Sequence, residues 1–152
     1  HLCLRWLDKQ DLAGQTVIDY GCGSGILGIA ALLLGAEKVI AVDNDPQALL
    51  ATRDNAERNN IAAERISTYL PEELPADIVG QTMLANILAA PLIELAPKLT
   101  ALTASNGLIC LSGLLEHQIT AVSQPYLGNF AFDDPAIETE WAQLAARKTA
   151  LS

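Results

Sequence analysis

Two carboxylates, an amide and a run of glycines are the residues of this chain best suited to chemistry. Asp19 ends a short apolar run, and Gly21, Gly23 and Gly25 alternate directly after it. Glycine has no Cβ, so such a loop can turn sharply and its backbone can approach a bound molecule closely. An apolar helix follows the loop. The order of strand, glycine loop and helix predicts a site for a nucleotide-like cofactor in a doubly wound fold.

Two kinds of cofactor compete for this loop. The dinucleotide fingerprint Gly-x-Gly-x-x-Gly fits from Gly23 through Gly25 to Gly28, but it then begins late and leaves Asp19 and Gly21 unexplained. A carboxylate at position 19 would repel a pyrophosphate, whereas it would attract a cofactor that carries a sulfonium and an amino group. The pattern Asp-x-Gly-x-Gly-x-Gly is similar to the first motif of S-adenosylmethionine-dependent methyltransferases.

A second acidic residue ends the next predicted strand. Asp43 closes a β-branched run and follows Gly23 by 20 residues, the spacing at which a carboxylate commonly binds ribose hydroxyls. We assign Asn44, its neighbour, to the same cofactor site. Asp45 and Pro46 have a structural interpretation, as the N-cap and first residue of a helix. Both candidate cofactors contain ribose, so this feature does not separate them.

The amide of Asn86 ends the fourth predicted strand, near residues 77–85. Ligands of open α/β sheets bind outside the carboxyl ends of the strands, where Asp19 and Asp43 are also expected. A dehydrogenase gives Asn86 no particular role. A methyltransferase does, because an amide beside the sulfonium can orient the amine or the cofactor. We therefore predict that Asn86 is the catalytic residue and also contacts the cofactor.

These motifs carry a specific resemblance to one family. The chain resembles the bacterial methyltransferases of ribosomal protein eleven of the large subunit over nearly all of its 152 residues. The glycine motif alone is generic to the superfamily. The more particular matches are Asp43-Asn44-Asp45-Pro46, the helix end Asp54-Asn55-Ala56-Glu57-Arg58-Asn59, and Ala85-Asn86-Ile87-Leu88.

The resemblance implies an enzyme that trimethylates lysine ε-amino groups and the α-amino terminus of a ribosomal protein, with S-adenosylhomocysteine as product. It matches Gly21, Asp43 and Asn86 to the family's cofactor contacts. The family also has an N-terminal domain that recognises the ribosomal protein, and a threonine-containing segment before the helix at Leu2. We expect residues 1–152 to be the S-adenosylmethionine-binding domain alone, with the substrate bound through the domain that this chain lacks.

Composition narrows the class of protein. The chain has 152 residues, which suits a single domain, and no apolar run reaches about 18 residues. We therefore predict one soluble domain without a membrane span. The net charge of −9 argues against direct nucleic-acid binding and suits a basic protein substrate. Cys3, Cys22 and Cys110 follow no metal spacing, so we predict no metal site and reduced thiols in a cytoplasmic protein. A monomer is expected.

The alternation of strands and helices predicts an α/β fold. We expect a Rossmann-like, doubly wound sheet of seven mostly parallel strands, in which strands near 129–133 and 139–147 close an antiparallel edge. Three alternatives stay open at this stage. They are a different S-adenosylmethionine-dependent methyltransferase, a nicotinamide-dependent oxidoreductase, and a cofactor-binding module without activity.

Overall fold

The computed structural model describes residues 2–149 as alternating helices and strands. The helices are α1 (Leu2–Asp8), α2 (Ile26–Leu33), α3 (Pro46–Arg58), α4 (Ala89–Glu94), α5 (Ala96–Leu102) and α6 (Ile119–Ser123). The strands are β1 (Thr16–Tyr20), β2 (Lys38–Val42), β3 (Ile66–Tyr69), β4 (Gly80–Asn86), β5 (Thr103–Leu115), β6 (Phe130–Phe132), β7 (Ala136–Glu138) and β8 (Trp141–Lys148).

All of these strands join one sheet, in the order β3-β2-β1-β4-β5-β8-β6, with β7 also paired to β8. The first five strands run parallel and β8 lies antiparallel to β5. The predicted doubly wound α/β fold with an antiparallel last strand is therefore confirmed. The strand order reverses between β1 and β4, which is where such sheets bind their ligands.

The far edge of the sheet has one strand more than predicted. The strand expected near 129–133 ends at Phe132, and β7 begins at Ala136. Pro135 lies between them, and because proline has no N–H to donate, it interrupts the ladder. The strand predicted near 129–133 is β6, and β7 is an additional strand; the two pair with opposite ends of β8, so the sheet has eight strands. β7 consequently lies near the carboxyl end of β5.

Two further elements differ from what the sequence pattern indicates. Residues 96–102 have no pattern from which we predict an element, yet they form α5, which has Pro97 in its first turn and buries Leu99 and Leu102. The apolar run 107–112 predicts a fifth strand, and β5 extends beyond this run at both ends, from Thr103 to Leu115. Because only a short loop separates α4 from α5, hydrophobic periodicity alone does not show where the second helix begins.

The sheet buries an apolar core on each face. Ile18 and Tyr20 contribute to the core beneath α4, α5 and α6, whereas Val17 belongs to the core beneath α1, α2 and α3. Successive side chains of a strand point to opposite faces, so Asp19 shares the face of Val17. Within residues 2–149, no helix combines the length and apolar character needed to cross a membrane.

Candidate cofactor and active site

The predicted residues at the strand ends lie in one row across the sheet. Gly21, Asp43 and Asn86 come directly after, or at, the ends of β1, β2 and β4. The residues before them form one paired row, Val42 with Tyr20 and Tyr20 with Ala85. Adjacent strands lie roughly 4.8 Å apart. The fold therefore brings a glycine, a carboxylate and an amide together at the point where the strand order reverses.

The glycine loop crosses the end of β1 with a left-handed backbone. Gly21, Gly23 and Gly25 have φ angles of +78°, +56° and +86°, which residues with a Cβ rarely adopt. A Cβ at Gly21 would lie 2.3 Å from Cγ2 of Ile87. A Cβ at Gly23 would have no atom of the described residues within 4 Å. The loop therefore exposes bare backbone to open space at Gly23.

Asp43, directly after the end of β2, is hydrogen-bonded to this loop. Its Oδ2 accepts a hydrogen bond from the Gly23 amide at 3.0 Å, and its Oδ1 accepts one from the Asp45 amide at 3.0 Å. An ionised carboxylate offers about four lone-pair sites, so two backbone bonds do not exhaust it. Asp43 is half-buried and Asn44 is exposed. Asp45 caps α3 through the Gln47 amide at 2.9 Å, as predicted.

Asp19 lies beneath the loop. Its side chain is 1% exposed, and its Oδ2 accepts a hydrogen bond from the Gly28 amide in α2 at 3.1 Å. The pKa of this carboxyl is raised to about 7, chiefly by burial; the Gly28 amide opposes the shift and the nearby charge of Asp43 adds to it. In this position Asp19 supports the first turns of α2. Its direct contact with a cofactor stays a prediction.

The amide of Asn86 is held by the neighbouring strand. Its Oδ1 accepts a hydrogen bond from the Ser112 hydroxyl at 3.0 Å, and the two residues are paired in the β4–β5 ladder. Gly113 follows with a φ of +91°, and a Cβ there would lie 2.4 Å from the carbonyl oxygen of Ile87. β5 therefore packs closely against the chain that leaves Asn86, and its Ser112 hydroxyl holds the amide of Asn86.

A cavity of about 590 Å³ opens beside Asn86. Its floor includes Asn86 and Ser112, and its outer wall comes from the β7–β8 edge with Glu138 and Trp141. Leu88 lines it as well and is 69% exposed. The cavity combines apolar walls with a few polar groups, which is the usual character of a site for a small molecule or an extended side chain.

Cys22 lies within the glycine loop, and its thiol is buried. Its Sγ lies 3.3 Å from the Thr52 hydroxyl, and burial raises its pKa to about 12. The reactive form of cysteine is the thiolate, so this environment favours a small residue in a turn over a nucleophile. Within residues 2–149, no group of three or more His, Cys, Asp or Glu could hold a metal ion.

The sequence matches one protein family along nearly its whole length. The model of the family described as ribosomal protein L11 methyltransferase (PrmA) matches residues 1–149. The chain belongs to this family. A curated PrmA family member, the ribosomal protein L11 methyltransferase of Cellvibrio japonicus, is 56% identical over 147 residues, which are 97% of this chain and 50% of that protein. The chain thus spans about half the length of such relatives.

Solved structures agree with the PrmA assignment. The crystal structure of a ribosomal protein L11 methylase from Lactobacillus delbrueckii subsp. bulgaricus is 30% identical, with a TM-score of 0.87 over 97% of this chain and 77% of that one. An RNA methyltransferase from Salinibacter ruber in complex with S-adenosyl-L-homocysteine has a TM-score of 0.75 at 17% identity, covering 97% of this chain and 90% of that one. At that identity the second likeness shows only a shared fold.

Sequence reasoning missed several residues around this PrmA site. Ser112 ends an apolar run that predicts a strand and gives this residue no role, and the next residue, Gly113, is the available signal for a close approach of backbones. No pattern around Trp141 predicts a cavity wall. Thr52 and Asn55 in α3 were not connected with the glycine loop, because their contacts with it span about 30 residues of sequence.

Proposed function

We propose that this chain is the catalytic domain of an S-adenosylmethionine-dependent protein N-methyltransferase. Its acceptors would be lysine ε-amino groups and the terminal α-amino group of ribosomal protein L11. The observation that carries the proposal is the row formed by Gly21, Asp43 and Asn86 at the switch point of a chain of the PrmA family. The number of methyl groups transferred to each amine is left to experiment.

The residues of the site suit this cofactor. The open space at Gly23 allows a ligand to approach the backbone closely. Asp43 can accept ribose hydroxyls on its remaining lone pairs while it stays bonded to the loop, and such charge-assisted bonds are the stronger kind. Asn44 stands exposed beside it. Gly21, Gly23, Gly25, Asp43 and Asn44 would bind the cofactor, with Asp19 contributing from beneath the loop.

Few protein groups are needed for the chemistry. The sulfonium of S-adenosylmethionine supplies an already activated methyl group. Asn86, held by Ser112, would orient the incoming amine or the donor from the floor of the cavity. Alignment of two reactants in this way can lower a barrier by several kcal/mol. The amine must arrive unprotonated, against a lysine pKa of about 10.4.

The nicotinamide alternative is less well supported. The glycine frame from Gly23 to Gly28 has the close packing that a dinucleotide site needs, since a Cβ at Gly28 would lie 2.9 Å from Cγ1 of Val39. However, this alternative gives no role to Asn86 or to the cavity beside it. The family match over residues 1–149 favours a methyltransferase.

The remaining parts of the proposal concern the whole protein. Residues 1–152 would form the cofactor-binding domain, and the other half of the relatives' length would recognise the ribosomal protein. The net charge of −9 suits an approach to a basic substrate. We place the protein in the cytoplasm as a monomer that binds neither nucleic acid nor membranes directly.

The test has two parts. Calorimetric titration of this chain with S-adenosylhomocysteine and with NAD distinguishes the two cofactors, and binding of NAD alone would refute the proposal.

A methyl-transfer assay on ribosomal protein L11 with labelled donor then compares this chain with the full-length Cellvibrio japonicus relative. We expect binding by this chain but a much lower kcat/KM, because docking of the substrate is left to random encounter. Equal kcat/KM would place substrate recognition within residues 1–152.

A further inference from the structure

The outer side of the glycine loop is held by two side chains of α3. The Thr52 hydroxyl donates a hydrogen bond to the carbonyl oxygen of Gly23 at 3.1 Å, and Nδ2 of Asn55 donates one to the carbonyl oxygen of Ser24 at 2.8 Å. A Cβ at Gly25 would lie 2.8 Å from Cγ2 of Thr52, so the helix and the loop are in direct contact. Thr52 is fully buried.

These bonds determine where the loop amides point. In a planar trans peptide the C=O and the following N–H point in opposite directions. With the Gly23 carbonyl bonded to Thr52, the Ser24 amide is directed away from α3. The Gly23 amide is bonded to Asp43 and the Gly25 amide to the carbonyl of Cys22 at 2.8 Å. Hydrogen bonds to Asp43, to α3 and within the loop thus fix the three consecutive peptide units between Cys22 and Gly25.

We propose that Thr52 and Asn55 are positioning residues for the cofactor, which they serve by holding the Gly23 and Ser24 carbonyls on α3. This inference rests on the proposed function, since it assigns the loop to cofactor binding. Neither side chain needs to touch the cofactor. Their role is to keep the loop backbone in the orientation in which Gly23 faces open space.

The glycines explain why such positioning is needed. Glycine populates positive and negative φ almost equally, so a loop with glycines at 21, 23 and 25 has many accessible backbone states. A ligand that binds only one of these states has its apparent affinity reduced by the population of that state. Hydrogen bonds from a packed helix raise this population before the ligand arrives. Loss of either donor should therefore reduce the magnitude of the free energy of cofactor binding more than it lowers the free energy of unfolding.

Two variants and a matched control test this inference. Asn55→Ala removes one donor, and Thr52→Val removes the other while keeping its shape. Asn59→Ala is the control, because Asn59 follows the last residue of α3 and its Nδ2 donates to the carbonyl of Asn55 in that helix and not to the loop. For each variant, calorimetry with S-adenosylhomocysteine gives the affinity, and urea unfolding gives the stability. Hydrogen exchange of the Gly23 and Gly25 amides in the free protein reports the order of the loop.

We expect Asn55→Ala and Thr52→Val each to weaken S-adenosylhomocysteine binding about two- to tenfold, the size of one lost neutral hydrogen bond. Their loop amides should exchange faster than in the wild type, whereas Asn59→Ala should match the wild type in both respects. Thr52→Ser keeps the hydroxyl and should recover most of the affinity lost in Thr52→Val.

Wild-type affinity in both variants would overturn the inference, even if their loops exchange faster, because the bonds would then serve the fold alone. An affinity loss that Asn59→Ala shares equally would overturn it too. A wild-type chain that does not bind S-adenosylhomocysteine at all would refute the proposed function, and this inference with it. That result is distinguished from the others because it appears before any variant is made.

Discussion

Replacement of Gly23 by alanine tests whether the open space beside the glycine loop receives the cofactor. Gly23 has a φ of +56°, and a Cβ there would meet no atom of the described residues within 4 Å. Gly14 offers a matched control, because it has a φ of +75° and equally open surroundings. Gly14 precedes β1, at the opposite end of that strand from the loop. Gly14→Ala and Gly23→Ala therefore introduce the same kind of strain at two different places.

The strain itself should be small and nearly equal in the two variants. A left-handed backbone destabilises the folded alanine variant by about 1–2 kcal/mol. Alanine also reduces the conformational freedom of the unfolded chain, which offsets about 0.4–1 kcal/mol of this loss. A net loss of about 1 kcal/mol lowers Tm by about 2–4 °C in a domain of this size. In Gly23→Ala the new methyl would also occupy space that we assign to the cofactor. Overpacking of that kind costs about 1–3 kcal/mol, or about 5- to 150-fold in affinity.

The assay measures Tm and S-adenosylhomocysteine affinity for the wild type and for both variants. We expect similar shifts in Tm for Gly14→Ala and Gly23→Ala, with weaker binding only in Gly23→Ala. If Gly23→Ala bound S-adenosylhomocysteine as tightly as Gly14→Ala, the cofactor would not pass over Gly23, and our placement of the site would be wrong. An affinity loss in both variants would point to a general loosening of the fold instead.

Three further substitutions test the other parts of the site. Asp43→Ala should weaken S-adenosylhomocysteine binding about ten- to a hundredfold, because a hydrogen bond to a charged group is worth about 1.5–3 kcal/mol; unchanged affinity by calorimetry would contradict the ribose assignment. Asn86→Ala, made in a full-length protein, should lower kcat much more than cofactor affinity, and a wild-type kcat would remove Asn86 from catalysis. Asp19→Asn should flatten the dependence of stability on pH, measured by urea unfolding. The folded-state pKa of about 7 lies above the ordinary 3.8, so the stability that protonation of Asp19 contributes is complete below pH 3.8 and is lost as pH rises through 7. An Asp19→Asn variant with the wild-type slope between these pH values would contradict the buried placement.

The sequence was sufficient to predict the row of residues at the switch point. Apolar runs that end in Asp or Asn give the strands and their ends locally, without knowledge of the fold. Alternation with helices then requires the strands to be parallel, so their carboxyl ends meet at one edge. Asp43 and Asn86 could therefore be placed near Gly21 from pattern alone, and the pairing of Val42, Tyr20 and Ala85 is in agreement.

The side to which Asp19 points depends on one residue of register in β1. Asp19 is separated from the glycine loop by a single residue, Tyr20, which is still part of β1. The pleat therefore turns Asp19 toward the buried face beneath α2. A pattern of residue types does not distinguish an acid at the end of a strand from one just before it, although their side chains point to opposite faces of the sheet.

Contacts between distant segments were outside the reach of the sequence. The cavity wall at Trp141 depends on how β7 and β8 pair after the break at Pro135, and no local pattern specifies that pairing. The bonds from Thr52 and Asn55 to the loop depend on the angle at which α3 packs. Polar residues on a half-exposed helix are usually solvated, so nothing in their types indicated a partner.

The supports of the glycine loop come from three separate elements. Asp19 in β1 holds the first turns of α2 from below, Asp43 after β2 holds the amide of Gly23, and α3 holds the outer carbonyls. None of these elements can fix the loop alone, because each acts on a different peptide group. The glycines provide a backbone that a ligand can approach closely, and that same freedom has to be limited for the approach to be specific. Cofactor affinity should therefore depend on residues that never touch the cofactor. Substitution of such a residue should lower the affinity most where its side chain makes the only hydrogen bond to a peptide group of the loop.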